Sequence, residues 1–218
     1  MVHGNTCTSD LDAWVNLFGA AMELSGKTPD KTELYKVLYN AALKGDPDCG
    51  GLVSVNYLAG EHMTGFSEGR PLFARTPDSN FTIENFMRSL LFSSISTVRI
   101  GMDILSEEGV KVSKLLGHGG LFKTSGVGQK LMAGAFNTPI AVMESAGEGG
   151  AWGIALLAAY AVCKENTEAL EDFLDNKIFS DATVSTIKPD AKDTKGFEAY
   201  MERYKAGLAV ERAAEENL

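Results

Sequence analysis

Two glycine-rich turns are the places where this sequence could do chemistry. The first is Gly117-His118-Gly119-Gly120-Leu121-Phe122-Lys123-Thr124-Ser125, and it runs directly into a stretch of helical spacing. The first backbone N–H groups of a helix have no partner within it, and a phosphate group can supply one. Glycine suits such a turn because it brings a ligand close to the backbone and reaches backbone angles closed to other residues. The second turn, Gly147-Glu148-Gly149-Gly150-Ala151-Trp152, opens another helical stretch. Neither matches an ordinary phosphate motif. A P-loop needs glycine immediately before its lysine, where Phe122 stands, and a dinucleotide fingerprint needs a third glycine where Phe122 and Trp152 stand. Two readings remain: a phosphate cradle of another type, or a plain tight connection between strand and helix.

Other reactive side chains carry less. Asp10 and Asp12 could hold Mg²⁺ through water, or serve as a helix cap and a solvated side chain. His3, His62 and His118 lack metal-ligand spacing, and no metal site is assigned. His118 could touch a phosphate or satisfy local backbone, and Lys123 could supply a cation or face solvent. Glu61 is a lone carboxylate without a partner for general base work. The acidic tail with Glu211, Glu215 and Glu216 reads as a solvated helix face.

The elements that must position the first turn follow from periodicity. Leu11, Trp14, Val15, Phe18 and Met22 predict a helix over Ser9 to Leu24, capped by Ser9 or Asp10. A second helix follows Thr28 and Pro29, which read as N-cap and first-turn proline, and ends at Gly45. Leu52 to Leu58 reads as a strand, and a long glycine- and proline-containing loop leads to the longest helix, from Ile83 to Gly109, about seven turns. Then comes a βαβα order: an apolar stretch ending at Leu115 and Leu116, the first glycine turn, a helix over Ser125 to Phe136, a strand Ile140 to Met143, the second glycine turn, and a core helix from Ala151. Parallel strands joined by right-handed crossovers place both turns at the carboxyl ends of neighbouring strands, where open α/β sheets bind ligands. A last helix near Phe197 to Leu208 is expected to pack on the outside.

At 218 residues the chain suits one domain spanning 1-218, and no linker or repeat argues for a boundary. Apolar residues at 44% and charged residues at 22% place it among ordinary globular proteins. The net charge of −9, with no local basic footprint, argues against nucleic acid as a partner but leaves a small anion open. The amino terminus has no export-signal pattern, so the cytoplasm is expected. The apolar run Ala151 to Val162 is too short to span a bilayer, so no membrane partner is expected. Cys7, Cys49 and Cys163, an odd number without a CxxC pair, read as buried small hydrophobes.

The order of elements carries a resemblance. Gly119-Gly120, then Gln129, Leu131-Met132-Ala133 and Asn137-Thr138-Pro139-Ile140, resembles the segment of FGGY carbohydrate kinases in which a Gly-Gly turn precedes a helix with glutamine and alanine. Glu144 and Glu148 to Ala159 look like that family's Ala-rich helix closing the nucleotide cleft, and Tyr57-Leu58-Ala59-Gly60-Glu61 looks like its Pro-Tyr-Leu-x-Gly-Glu loop. The resemblance runs from about Gly50 to Val162 and is nearest to xylulokinase-like members. It implies an α/β domain of the actin-like ATPase, or ribonuclease H-like, fold: the carboxy-terminal, nucleotide-binding domain of a kinase that phosphorylates a small sugar such as a pentulose, with ATP and Mg²⁺. Gly119 and Gly120 would lie against the nucleotide's phosphates and ribose, and Leu121, Thr124 and Ser125 would border its adenine.

The same resemblance implies that no catalytic residue lies in this chain. The family's phosphate-contacting Gly-Thr-Ser-Gly-Thr hairpin has no counterpart ahead of His3, so the fold is expected to be incomplete at its amino-terminal hairpin. The sugar and its catalytic aspartate are expected on an amino-terminal domain outside this chain, leaving the chain inactive in isolation. A homodimer is a further expectation, as is the rival reading of a non-catalytic nucleotide-binding or assembly module.

Overall fold

The computed structural model describes residues 4–144 and 149–218. His3, Gly147 and Glu148 lie outside the described residues, so the second glycine turn is described only from Gly149 onward.

Helices α1 (Ser9–Leu24) and α2 (Lys31–Ala42) open the chain. The caps differ from those expected. Thr8 precedes α1 without a capping side chain, and Asp10 instead accepts the indole N–H of Trp14 at 3.2 Å. At α2 the cap is Asp30, whose carboxylate accepts the backbone N–H of Glu33 at 2.9 Å, because an aspartate directly before the first helical residue outcompetes Thr28 for that N–H. Strand β1 (Val53–Val55) is shorter than the run Leu52 to Leu58 suggests and pairs antiparallel with β2 (Leu72–Ala74), from Val53↔Ala74 to Val55↔Leu72.

Helix α3 (Ile83–Glu107) is the central rod, capped by the Thr82 side chain on the N–H of Asn85. From Asn85 to Thr97 nearly every residue is buried, because α2, β1, α4 and a last helix surround it. Strand β3 (Leu115–Gly117) pairs parallel with β4 (Ile140–Met143), Leu115 opposite Ile140 and Gly117 opposite Val142, with α4 (Val127–Phe136) as the crossover. β5 (Val184–Ile187) adds antiparallel to the other edge of β4, an element absent from the sequence reading.

Two expectations are corrected by burial. The last helix, α7, runs from Ala191 to Asn217, and its Phe197, Tyr200, Met201 and Tyr204 belong to the main core together with residues of α1 to α4. It is an interior element, because its ring side chains stack edge-on against Phe92 and satisfy their hydroxyls inside: Tyr200 donates to the Ser89 carbonyl at 3.1 Å, and Tyr204 to the Tyr57 hydroxyl at 3.0 Å. Conversely α5 (Gly149–Cys163), expected as a core helix, buries Leu156 but leaves Ile154 70% and Val162 85% exposed. The short helix α6 (Leu170–Phe173) continues into a π turn, Leu174–Ile178, and Phe173 packs edge-on to Tyr160 of α5. Of the cysteines Cys49 is buried, while Cys7 and Cys163 are exposed.

Candidate functional site

The glycine turn leaves the carboxyl end of β3, beside the parallel strand β4, as the sequence requires of a ligand-binding turn. Its three glycines do different things. A side chain on Gly117 would run into the Phe122 ring. Gly119 has φ +99°, in a region favouring glycine. Gly120 has ordinary backbone, and an added Cβ there would meet nothing within 4 Å, because it opens onto a cavity.

That cavity, about 750 Å³, lies between the turn and the first two helices. Gly120, Lys123, Thr124 and Ser125 form one wall, while Thr8 and Asp12 of the α1 end and Lys31, Thr32, Tyr35, Lys36, Tyr39 and Asn40 of α2 form the other. Of the five residues singled out from the sequence, Gly120, Thr124 and Ser125 line it. Leu121 instead packs partly buried against the core, and Gly119, with its left-handed backbone, does not line the cavity. The fold therefore brings three of the five together on one surface. A smaller cavity of about 370 Å³ lies behind the turn, between Lys123, Gln129, Met143 and Ser185.

The α2 wall was missed by sequence reasoning. Its signal was present as two adjacent rows at i, i+4, i+8: Lys31, Tyr35, Tyr39 and Thr32, Lys36, Asn40. Both rows read equally as a solvated helix face.

Electrostatically the cavity opposes the rest of the chain. Among the described lining residues, three lysines, Lys31, Lys36 and Lys123, stand with one carboxylate, Asp12, in a protein of net charge −9. Lys36 leans on Glu33 at 3.4 Å, and the Lys31 ammonium lies 5.9 Å from the Tyr35 ring centre. Tyr35 donates its hydroxyl to Asp12. Burial, and then Asp12, hold that phenol well above its ordinary range, and Tyr39 is pushed up to about 12 by burial and by Asp12. Both phenols are therefore hydrogen-bond donors at neutral pH. Asp10, on the buried side of α1, has its carboxyl raised by burial, partly offset by the Trp14 hydrogen bond. It faces the core and does not line the cavity. Among the described residues no group of three or more His, Cys, Asp or Glu could hold a metal ion.

The loop with Glu61 is structural: the carboxylate accepts the backbone N–H of Asn5 at 2.8 Å and is 2% exposed. Gln129, in the first turns of α4, donates to the carbonyls of Ile140 at 2.8 Å and Ser185 at 2.9 Å, fastening the crossover helix to β4 and β5.

Comparison with known proteins agrees with this architecture. The carboxy-terminal domain of the FGGY family of carbohydrate kinases matches residues 1–162. The xylulose kinase of Haemophilus influenzae is 24% identical over 209 residues, 94% of this chain and 41% of that protein. The chain thus spans about two fifths of the length of this curated relative. Among solved structures, the xylulose kinase of Rhodospirillum rubrum superposes with a TM-score of 0.67 at 17% identity, over 96% of this chain and 39% of that one. The glycerol kinase of Plasmodium falciparum, solved with ADP, gives 0.59 at 21% identity, over 89% and 36%. The fold is the actin-like, ribonuclease H-like α/β fold shared by these kinases. With the family matched over more than half of its residues, and the glycine turn, crossover helix and parallel strands in place, the chain belongs to the FGGY family of carbohydrate kinases through that family's carboxy-terminal domain.

Proposed function

We propose that this single domain is the ATP-holding part of a sugar kinase, and that the cavity between the glycine turn and α2 is where the nucleotide sits. One observation carries the reading: the large cavity onto which Gly120 opens is also where three lysines gather in an otherwise acidic chain. A triphosphate needs local cations and close backbone approach, and this wall offers both. Gly119 and Gly120 face the phosphates and ribose; Thr124 and Ser125 border the base, with Leu121 supporting them from the core side.

The acceptor in this reading is a small sugar of the pentulose type, because a xylulose kinase is among the relatives. It is bound with its catalytic base on an amino-terminal domain, so this chain alone turns nothing over. Mg²⁺ needs oxygen ligands, and among the described residues the cavity wall supplies one carboxylate, Asp12, already accepting the Tyr35 hydroxyl. That donor set does not form a protein cage for the ion, so no step is assigned to protein-held Mg²⁺ here; a nucleotide carries its ion on its own phosphates. The cytoplasm is the proposed location, and nucleic acid is not a proposed partner. No described helix is long and apolar enough to cross a membrane.

Titration of the 218-residue chain with a fluorescent ATP analogue tests the site. Gly120→Trp sets a ring in the cavity from a position where an added Cβ meets nothing within 4 Å, so we expect at least a tenfold loss of affinity with an unchanged thermal midpoint. Unchanged binding in that variant would refute the site. A coupled ADP-release assay with xylulose should register no turnover by the chain alone, and appreciable turnover would refute the division of labour.

A second reading, an assembly module that pairs with a second copy of itself, is favoured by the exposed apolar residues of α5. It is compatible with nucleotide binding and is tested separately by solution mass.

A further inference from the structure

We propose, on the reading of this cavity as a nucleotide site, that Asp12 recognises the ribose hydroxyls and makes the site selective for ribonucleotides over deoxyribonucleotides.

Asp12 stands in the first turn of α1 and reaches the cavity from the side opposite Gly120 and Thr124. Its Oδ1 accepts the Tyr35 hydroxyl from α2, which fixes the carboxylate between two helices. Among the described residues Oδ2 accepts no hydrogen bond, so one oxygen is anchored and the other is offered to the cavity. Tyr35 does not relieve the carboxylate's charge by giving up its proton, since the phenol keeps that proton and remains a donor throughout the physiological range. The group presented to a ligand is therefore an oriented acceptor carrying negative charge.

That charge sorts the parts of a nucleotide. A carboxylate repels phosphate, so the triphosphate belongs with Lys31, Lys36 and Lys123, and the partner of Asp12 must be a donor. A nucleotide has two kinds of donor: amino groups on the base and hydroxyls on the ribose. With the phosphates and ribose along Gly120 and the base against Thr124 and Ser125, the hydroxyl edge of the ribose is left to face the wall that Asp12 and Tyr35 build. The same chemistry, an acidic side chain accepting from ribose hydroxyls, recurs in dinucleotide sites of unrelated fold. A lone exposed aspartate would be a weak reader; one held by a partly buried phenol loses less freedom on binding.

The test displaces a fluorescent ATP analogue from the 218-residue chain with ATP, 2′-deoxyATP, 3′-deoxyATP and inosine triphosphate. The wild type should prefer ATP over at least one deoxy analogue by about tenfold, the scale of one hydrogen bond to a charged acceptor. In Asp12→Ala that preference should disappear, with affinity for the deoxy analogue unchanged or improved as the repulsion is lifted. Tyr35→Phe, which frees the carboxylate without removing it, should give an intermediate ratio. A wild-type ratio near one, or a ratio unchanged in Asp12→Ala, overturns the proposal. So does an Asp12→Ala variant that loses discrimination between ATP and inosine triphosphate instead, because the partner is then the base. Failure of every nucleotide to displace the probe would overturn the underlying reading of the cavity and this proposal with it. Failure of the ribose comparison alone leaves the cavity reading standing.

Discussion

Glu61 sits in the loop after β1, 2% exposed, with the backbone N–H groups of Asn5 at 2.8 Å and Met63 at 3.4 Å pointing at its carboxylate. A carboxylate so placed orders the chain ahead of α1 against the loop after β1. Its oxygens are spent on backbone donors, so it is not free to accept a substrate proton. Glu61→Gln keeps the shape but removes the charge and one acceptor. We expect a loss of about 1–3 kcal/mol, read as a lower denaturant midpoint with unchanged slope. Glu211 and Glu215 act similarly at the other end of the chain, accepting the backbone N–H groups of Arg70 at 2.7 Å and of Ser67 at 2.8 Å. Backbone and hydroxyl donors from Glu68 and Ser67 hold the Glu215 carboxyl down to about 2. Glu211 and Glu215 thus clamp residues 67–70, whereas Glu216 is exposed as a solvated face requires. The sequence could not reveal this, because a carboxylate that receives N–H groups and one that receives water look alike until the chain is folded. Gly120, by contrast, stands on an open turn as its neighbours' order implies, and an added Cβ there would meet nothing within 4 Å.

Helices α3 and α7 cross through a buried ion pair, Arg88 Nη2 to Asp193 Oδ1 at 2.7 Å, in which the arginine side chain is 3% exposed. The guanidinium also reaches the Gly45 carbonyl at 3.4 Å and lies over the Phe92 ring, so it ties the end of α2 to both helices. Asp193→Ala strands that charge in the interior, and about 3–5 kcal/mol of stability should disappear in chemical denaturation. Arg88→Met with Asp193→Leu should recover much of it, which separates lost charge balance from lost packing. The elements with a strong period or a clear boundary were legible: α1, α3 and β4 stand where the apolar spacing puts them. The misjudged ones share a physical cause. α7 buries tyrosines through internal hydrogen bonds, so its inward face alternates with lysines and glutamates and looks amphipathic and peripheral. β2 and β5 are three and four residues long and only partly covered, too short for alternation to register. The glycine wall of the cavity could be foreseen from the turn, whereas the α2 wall could not, since nothing local tells a polar helix face that it will meet a turn some eighty residues downstream.

The molecule is divided between a densely packed body and a sparsely packed arm. The body is one core uniting α1 to α4 and α7. The arm contains α5, with Trp152 45%, Ile154 70% and Leu157 50% exposed. A helix apolar on all sides is at home when enclosed, and here water meets most of it. Pairing with a second copy would cover it. Light scattering should give a mass near twice 23.3 kDa, falling toward a single chain in Ile154→Glu/Leu157→Glu, while the thermal transition of the body stays put. A mass of one chain for the wild type, or a dimer indifferent to both glutamates, would remove this surface from consideration.

The hydroxyl of Tyr204 donates to that of Tyr57 across 147 positions of sequence, and Tyr200 reaches the Ser54 carbonyl across 146. A nascent chain leaving the ribosome therefore presents β1 and most of α3 long before their covering helix exists. For that interval the part of α3 that meets α7 is uncovered, and chaperone engagement during synthesis becomes the natural consequence of how late α7 lies in the sequence.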